Sequence, residues 1–82
     1  MERSALRDIL IETLLSIAPE VDASELNDQL ALRKQVDLDS MDWLNVLIGL
    51  HAKLGVDIPE ADYHKLVSIQ TIVDYLMGKL KG

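Results

Sequence analysis

Apolar residues recur along this chain at helical spacing in three separate stretches. In residues 2–17, Leu6, Ile9, Leu10, Leu14 and Ile17 fall on one face at the 3.6-residue period, with Ile11 and Leu15 off that stripe. The pattern predicts a first helix that stops near Ala18-Pro19, because a residue before proline is pushed out of the α region. From Glu20 to Asp39 the chain is polar and without sustained periodicity. Asp22-Ala23-Ser24-Glu25-Leu26 could form one helical turn there, and Leu30, Leu32, Val36 and Leu38 are expected to pin the connection across the core. A connection of about twenty residues exceeds the ordinary upper range of about 12–15 and points to function.

A second helix is predicted from Ser40 to Leu54, ended by Gly55 at the position after the last turn. Met41, Trp43, Leu44, Val46, Leu47, Ile48, Leu50 and Leu54 sweep about two-thirds of its circumference, leaving Asp42, Asn45, Gly49 and Lys53 as a polar strip. So apolar a helix is either central to the fold or presents one side to a partner. Ile58-Pro59 then opens a short third helix reaching about Leu66. Ser68 reads as the cap of a last helix whose Ile69, Ile72, Val73, Leu76, Met77 and Leu80 share a face, with Lys79 and Lys81 suited to its C-terminal dipole. The expected fold is all-α: a small four-helix bundle, three longer helices and one short, with a long first loop, forming a single domain over residues 1–82.

Composition narrows the function classes. At 82 residues there is room for one core, and 49% hydrophobic content marks a folded rather than a disordered chain. There is no cysteine, which removes disulfides, thiolate metal sites and a thiol nucleophile, and any thiol chemistry would have to be imported. No apolar run is long enough to span a bilayer and no signal-peptide pattern opens the sequence, so a cytoplasmic protein is expected. A net charge of −6 argues against nucleic acid and anionic membranes and for partners with basic surfaces. His51 and His64 lack metal-ligand spacing, so no metal is expected. A serine–histidine–acid triad drawn from Ser40 and either histidine would have no locatable oxyanion hole, and no catalytic residue is assigned.

Asp39-Ser40-Met41-Asp42 is the stretch that carries chemistry. Asp and Ser are both preferred helix caps and Asp42 favours the helix dipole, so Ser40 read alone is either a cap or an attachment point. The order of elements decides between them by likeness. A helix, a long loop, Asp39-Ser40-Met41, the apolar run Leu44 to Leu54, Ile58-Pro59, Ser68-Ile69 and Ile72-Val73-Asp74-Tyr75-Leu76 follow in register. From about Leu6 to Leu80 the chain thereby resembles the acyl carrier protein family. The resemblance implies a non-enzymatic carrier. Phosphopantetheine, donated from coenzyme A by a phosphopantetheinyl transferase, would be esterified to Ser40 and would carry acyl groups as thioesters between acyl-loading and acyl-processing enzymes. Asp39 would be read by the transferase, and Met41, Asn45 and Ile48, along one side beneath Ser40, would dock partners. By the same resemblance Trp43, Leu47, Tyr63 and Leu66 fall near the acyl pocket, where the two rings would leave long chains poorly sheltered. An aminoacyl or peptidyl carrier of the same fold, and a helical adaptor without prosthetic group, are the alternatives.

Three departures from the family pattern bear on its pathway. The usual glycine two residues before the motif's aspartate is Asp37, the often acidic position before it is Lys34-Gln35, and the second helix has Asn45, His51, Ala52 and Lys53 where glutamates are typical. Weaker charge complementarity leads us to expect a monomeric, specialised carrier in a fatty-acid, polyketide or related pathway, served by dedicated enzymes.

Overall fold

The computed structural model describes residues 2–81, and side chains as far as Leu80. Helix α1 spans Arg3–Ile17, α2 is the single turn Leu32–Gln35, α3 spans Ser40–Leu54 and α4 spans Ile69–Lys81. Two 3-10 segments, Ala23–Glu25 and Glu60–Lys65, complete the order. The three longer helices and the short one before α4 are those the periodicity predicts.

Helix boundaries have local causes. Ala18 leaves the helical region (φ −126°, ψ 76°) ahead of Pro19 while its N–H still donates to the Leu14 carbonyl at 2.8 Å. Gly55 takes the left-handed conformation (φ 65°) after α3, which an L side chain adopts only at a cost, and its N–H donates to the His51 carbonyl. The His51 Nδ1 lies 2.7 Å from the Val56 carbonyl oxygen, tying the same turn. Ser68 caps α4: its Oγ accepts from the Thr71 N–H. Pro59 sits just ahead of the Glu60–Lys65 helix with extended backbone, so it precedes that helix rather than forming its first residue.

Leu6, Leu10 and Leu14 of α1, Val46, Leu47 and Leu50 of α3, and Ile69, Ile72, Val73 and Leu76 of α4 form one buried core. Each fully buried side chain of this kind contributes roughly 1.5–3 kcal/mol of transfer free energy. Leu32, Val36 and Leu38 of the long connection join it, as expected, whereas Leu30 is 54% exposed. Positions 32 and 36 are one turn apart, and burying both explains why the chain coils between them into α2, a turn its polar sequence does not announce.

Polar contacts fix the rest of the connection. The Arg7 guanidinium donates twice to Asp28 at 2.8 Å, the Gln70 N–H donates to the Asp28 carbonyl, and the Leu32 N–H donates to the Val67 carbonyl. Gln35 closes the loop by bonding both the N–H and the carbonyl of Asn27.

Three assignments to faces change. Ile11, off the predicted stripe, is buried, and Leu15 packs against the core, because α1 is covered on two sides by α3 and α4. Leu80 is 39% exposed, lying beyond the last turn that the other helices cover. Gly49 does not belong to a solvent strip: a β-carbon there would stand 2.6 Å from Thr13 Cγ2, so glycine is what lets α3 approach α1. Lys79 places its ammonium 5.5 Å above the Tyr75 ring. The side chain of Lys81 lies outside the described residues.

Candidate functional site

The long connection delivers Asp39 with extended backbone to the start of α3, where its carboxylate accepts the Asp42 N–H at 2.8 Å. Asp39 is therefore the cap and Ser40 the first helical residue. This corrects the reading of Ser40 as a possible cap: the capping bond is made by its neighbour, and the Ser40 side chain is left at the surface. Asp42 adds negative charge to the first turn, where the exposed N–H groups favour it. Asp37 has no positive φ, so the position does not demand glycine.

Ser40 opens on a cleft of about 370 Å³ between α3 and the Glu60–Lys65 helix, walled by Trp43, Leu44, Leu47 and Tyr63 with Arg33 and Glu60 at its rim. Of the four acyl-pocket candidates, Trp43, Leu47 and Tyr63 thus come together beside Ser40. Leu66 does not line this cleft. It is buried and borders a neighbouring cleft of about 220 Å³, which Trp43 and Tyr63 also wall. Arg33, whose Nη2 points toward the Leu38 carbonyl at 3.5 Å, had no distinguishing signal in the sequence.

The residues expected to dock partners are all at the surface: Met41 is 66% exposed, Ile48 54%, and Asn45 lies between them. Leu44 belongs with them at 36% exposure and was missed, because its spacing is equally that of a core residue. Together Met41, Leu44 and Ile48 form an apolar stripe running down α3 from Ser40, following the i, i+3, i+7 spacing of one helix face. His51, by contrast, is partly engaged with the Val56 carbonyl.

Behind the cleft the Glu60–Lys65 helix is fastened to α4. The Tyr75 hydroxyl donates to Asp62 Oδ2 at 2.6 Å, and Lys65 Nζ lies 3.6 Å from the other carboxylate oxygen. Burial, followed by the bond to the Asp62 carboxylate, pushes the Tyr75 phenol up to about 12. The same hydroxyl, with Lys65 and Lys79 nearby, holds the Asp62 carboxyl below its usual value. Among the described residues no group of three or more histidine, aspartate or glutamate side chains gathers to hold a metal ion, and no helix is long and apolar enough to cross a membrane.

Comparison with known proteins bears on this geometry. The family model for the phosphopantetheine attachment site matches residues 5–76. An acyl carrier protein of Campylobacter hominis is 32% identical over 71 residues, covering 87% of this chain and 84% of its own length. One from Campylobacter fetus subsp. fetus is 32% identical over 76 residues, covering 93% and 92%. One from Helicobacter pylori is 27% identical over 66 residues, covering 80% and 85%.

Proposed function

This chain belongs to the acyl carrier protein family, and from that membership we propose that Ser40 is its phosphopantetheine attachment point and that it carries acyl groups for a specialised pathway. The chain is a carrier and not an enzyme, its prosthetic group is phosphopantetheine, and its partners include a phosphopantetheinyl transferase and acyl-processing enzymes. The prosthetic group supplies the thiol that a cysteine-free chain lacks.

One observation carries the assignment to Ser40: Asp39 does the capping, so an exposed serine hydroxyl stands at the first position of α3, on the lip of an apolar cleft. A phosphodiester formed there would face the N–H groups of the first turn, the end of a helix that favours an anion. Apolar walls beside Ser40, together with relatives that are acyl carriers, support an acyl cargo over an aminoacyl one. Intact mass after co-expression with a broad-specificity transferase tests this. The wild-type chain gains one phosphopantetheine and Ser40→Ala gains none; addition to Ser40→Ala, or none to the wild type, refutes the assignment.

Docking follows from the exposed stripe. Met41, Leu44, Asn45 and Ile48 present more apolar than acidic surface, so partner choice rests on shape and apolar contact more than on charge steering. That favours dedicated enzymes; the proposal also includes a single carrier domain acting as a monomer in the cytoplasm, and Asp39, which caps α3, as a residue read by the transferase. A housekeeping ketoacyl synthase should therefore use the acylated chain poorly compared with its own carrier. Equal use would overturn the specialised role.

A further inference from the structure

Tyr63 stands where three clefts meet. It walls the cleft at Ser40, the cleft of about 220 Å³ with Leu66, and a third of about 230 Å³ bordered by Leu47, Ile48 and Ile58. Their floors are core side chains: Leu47, in two of the clefts, and Leu66, in the other, are almost wholly buried. A chain entering from Ser40 along Trp43 and Leu47 therefore meets the Tyr63 ring, which stands between this cleft and the other two.

The ring's position is determined by the residue before it. Successive side chains of a 3-10 helix point about 120° apart, since the helix has about three residues per turn. Asp62 turns to α4 and accepts the Tyr75 hydroxyl at 2.6 Å while Tyr63 turns to the groove beside α3. The six-residue helix has no buried residue of its own, and this bond ties it to α4, while Lys65 Nζ lies beside the same carboxylate from within the helix.

We propose that Tyr63 is a stop that restricts this carrier to short acyl groups, and that the Asp62–Tyr75 hydrogen bond is the positioning contact that keeps the stop across the groove. The proposal rests on the attachment of the arm at Ser40. The cleft has the volume of about a dozen waters at about 30 Å³ each, and with its mouth open only about half of that is sheltered, room for about six methylenes of similar size.

The test is a series of acyl groups from two to twelve carbons, attached through phosphopantetheine and verified by intact mass, with the melting temperature read at each length. In the wild type the temperature rises by at most roughly 6–13 °C per two-carbon step, the figure for full burial, up to about six carbons and is then flat. Tyr63→Ala, or the milder Tyr63→Leu should the first fold poorly, keeps rising to ten or twelve carbons, whereas Tyr63→Phe keeps the wild-type plateau. Tyr75→Phe and Asp62→Ala lower the melting temperature of the unacylated protein, but they also restore part of the rise with long chains. A merely structural contact would shift every length equally. A wild type that rises steadily to twelve carbons overturns the stop, as does a plateau unchanged in Tyr63→Ala and Tyr63→Leu. Unchanged plateaus in both Tyr75→Phe and Asp62→Ala overturn the positioning role. Failure of the underlying attachment shows separately, as absence of the added mass.

Discussion

Replacing Gly49 by alanine tests the packing that sets α3, and with it Ser40, on the rest of the fold. In an exposed helix interior the exchange would stabilise by about 1 kcal/mol, since glycine gives up more backbone freedom than alanine. Here the new methyl would stand 2.6 Å from Thr13 Cγ2, against about 3.5–4.0 Å for unstrained carbon atoms. Thr13 cannot easily turn away: it is 2% exposed, and its hydroxyl donates to the Ile9 carbonyl at 2.7 Å. The helices must separate by roughly 1 Å, and overpacking of this kind costs about 1–3 kcal/mol. The net expectation is a loss of up to about 2 kcal/mol, a fall in melting temperature of up to roughly 15 °C for a domain of this size. Gly78, also in a helix but with nothing within 4 Å of the position a β-carbon would take, is the control. Gly78→Ala should stabilise, by about 0.5 kcal/mol since it lies in the last turn. Thr13→Ser removes the clashing methyl and keeps the hydroxyl, so Thr13→Ser with Gly49→Ala should be more stable than the two single effects add up to, by about 1 kcal/mol. Urea unfolding of the four variants supplies the numbers. A Gly49→Ala protein as stabilised as Gly78→Ala, or a cycle additive within about 0.3 kcal/mol, would refute the close approach.

Other consequences are equally accessible. Asp39→Ala removes the bond to the Asp42 N–H and should cost about 1 kcal/mol in urea unfolding, whereas Asp39→Asn retains an accepting oxygen and most of the stability. The paired Arg7 guanidinium holds the Asp28 carboxyl below its ordinary value of 3.8, so its contribution is complete above that pH and disappears as the pH falls through the depressed folded value. Both side chains are more than a third exposed, so the advantage over Asp28→Asn should be at most about 1 kcal/mol at neutral pH and should narrow in acid; a gap that does not shrink as the pH falls contradicts the pairing. Tyr75 behaves in the opposite sense: its phenol is raised from 10.0 to about 12, which favours the neutral form in the fold, so that contribution is intact below pH 10 and is lost as the pH climbs towards 12. Ultraviolet titration should show one tyrosine ionising near 12 in the folded protein and absent from Tyr75→Phe, and ionisation of that tyrosine near 10 would disprove the bond to Asp62.

The parts of this protein that were legible beforehand are those where one residue type has one physical meaning over several turns. Leu6, Leu10 and Leu14, or Ile69, Ile72, Val73 and Leu76, repeat long enough to declare both a helix and its buried side. Leu32 and Val36 obey the same rule, but one period is too short to declare anything in a polar setting. Asp39 and Ser40 are both competent caps, and only the position of the Asp42 N–H decides which one caps α3. Gly49 misleads for a different reason: with no side chain it reads as a gap in the apolar surface, although the gap is where a second helix fits. The Tyr75–Asp62 bond joins residues 13 apart on different elements, and no local pattern can encode that distance.

Helix α3 shows why this matters for the site. Its apolar circumference is wider than its neighbours cover: Val46 and Leu50 are buried in the core, Gly49 meets α1, and Leu47 lies under the cleft beside the Glu60–Lys65 helix. Met41 and Ile48 remain more than half exposed and Leu44 about one-third exposed, although burying each fully would contribute roughly 1.5–3 kcal/mol. A domain of this size has little stability to spare. Polar residues at Met41 and Ile48 would cost the isolated fold little, so their apolar side chains add little stability within the domain, which is what the proposed docking of partners beside Ser40 calls for.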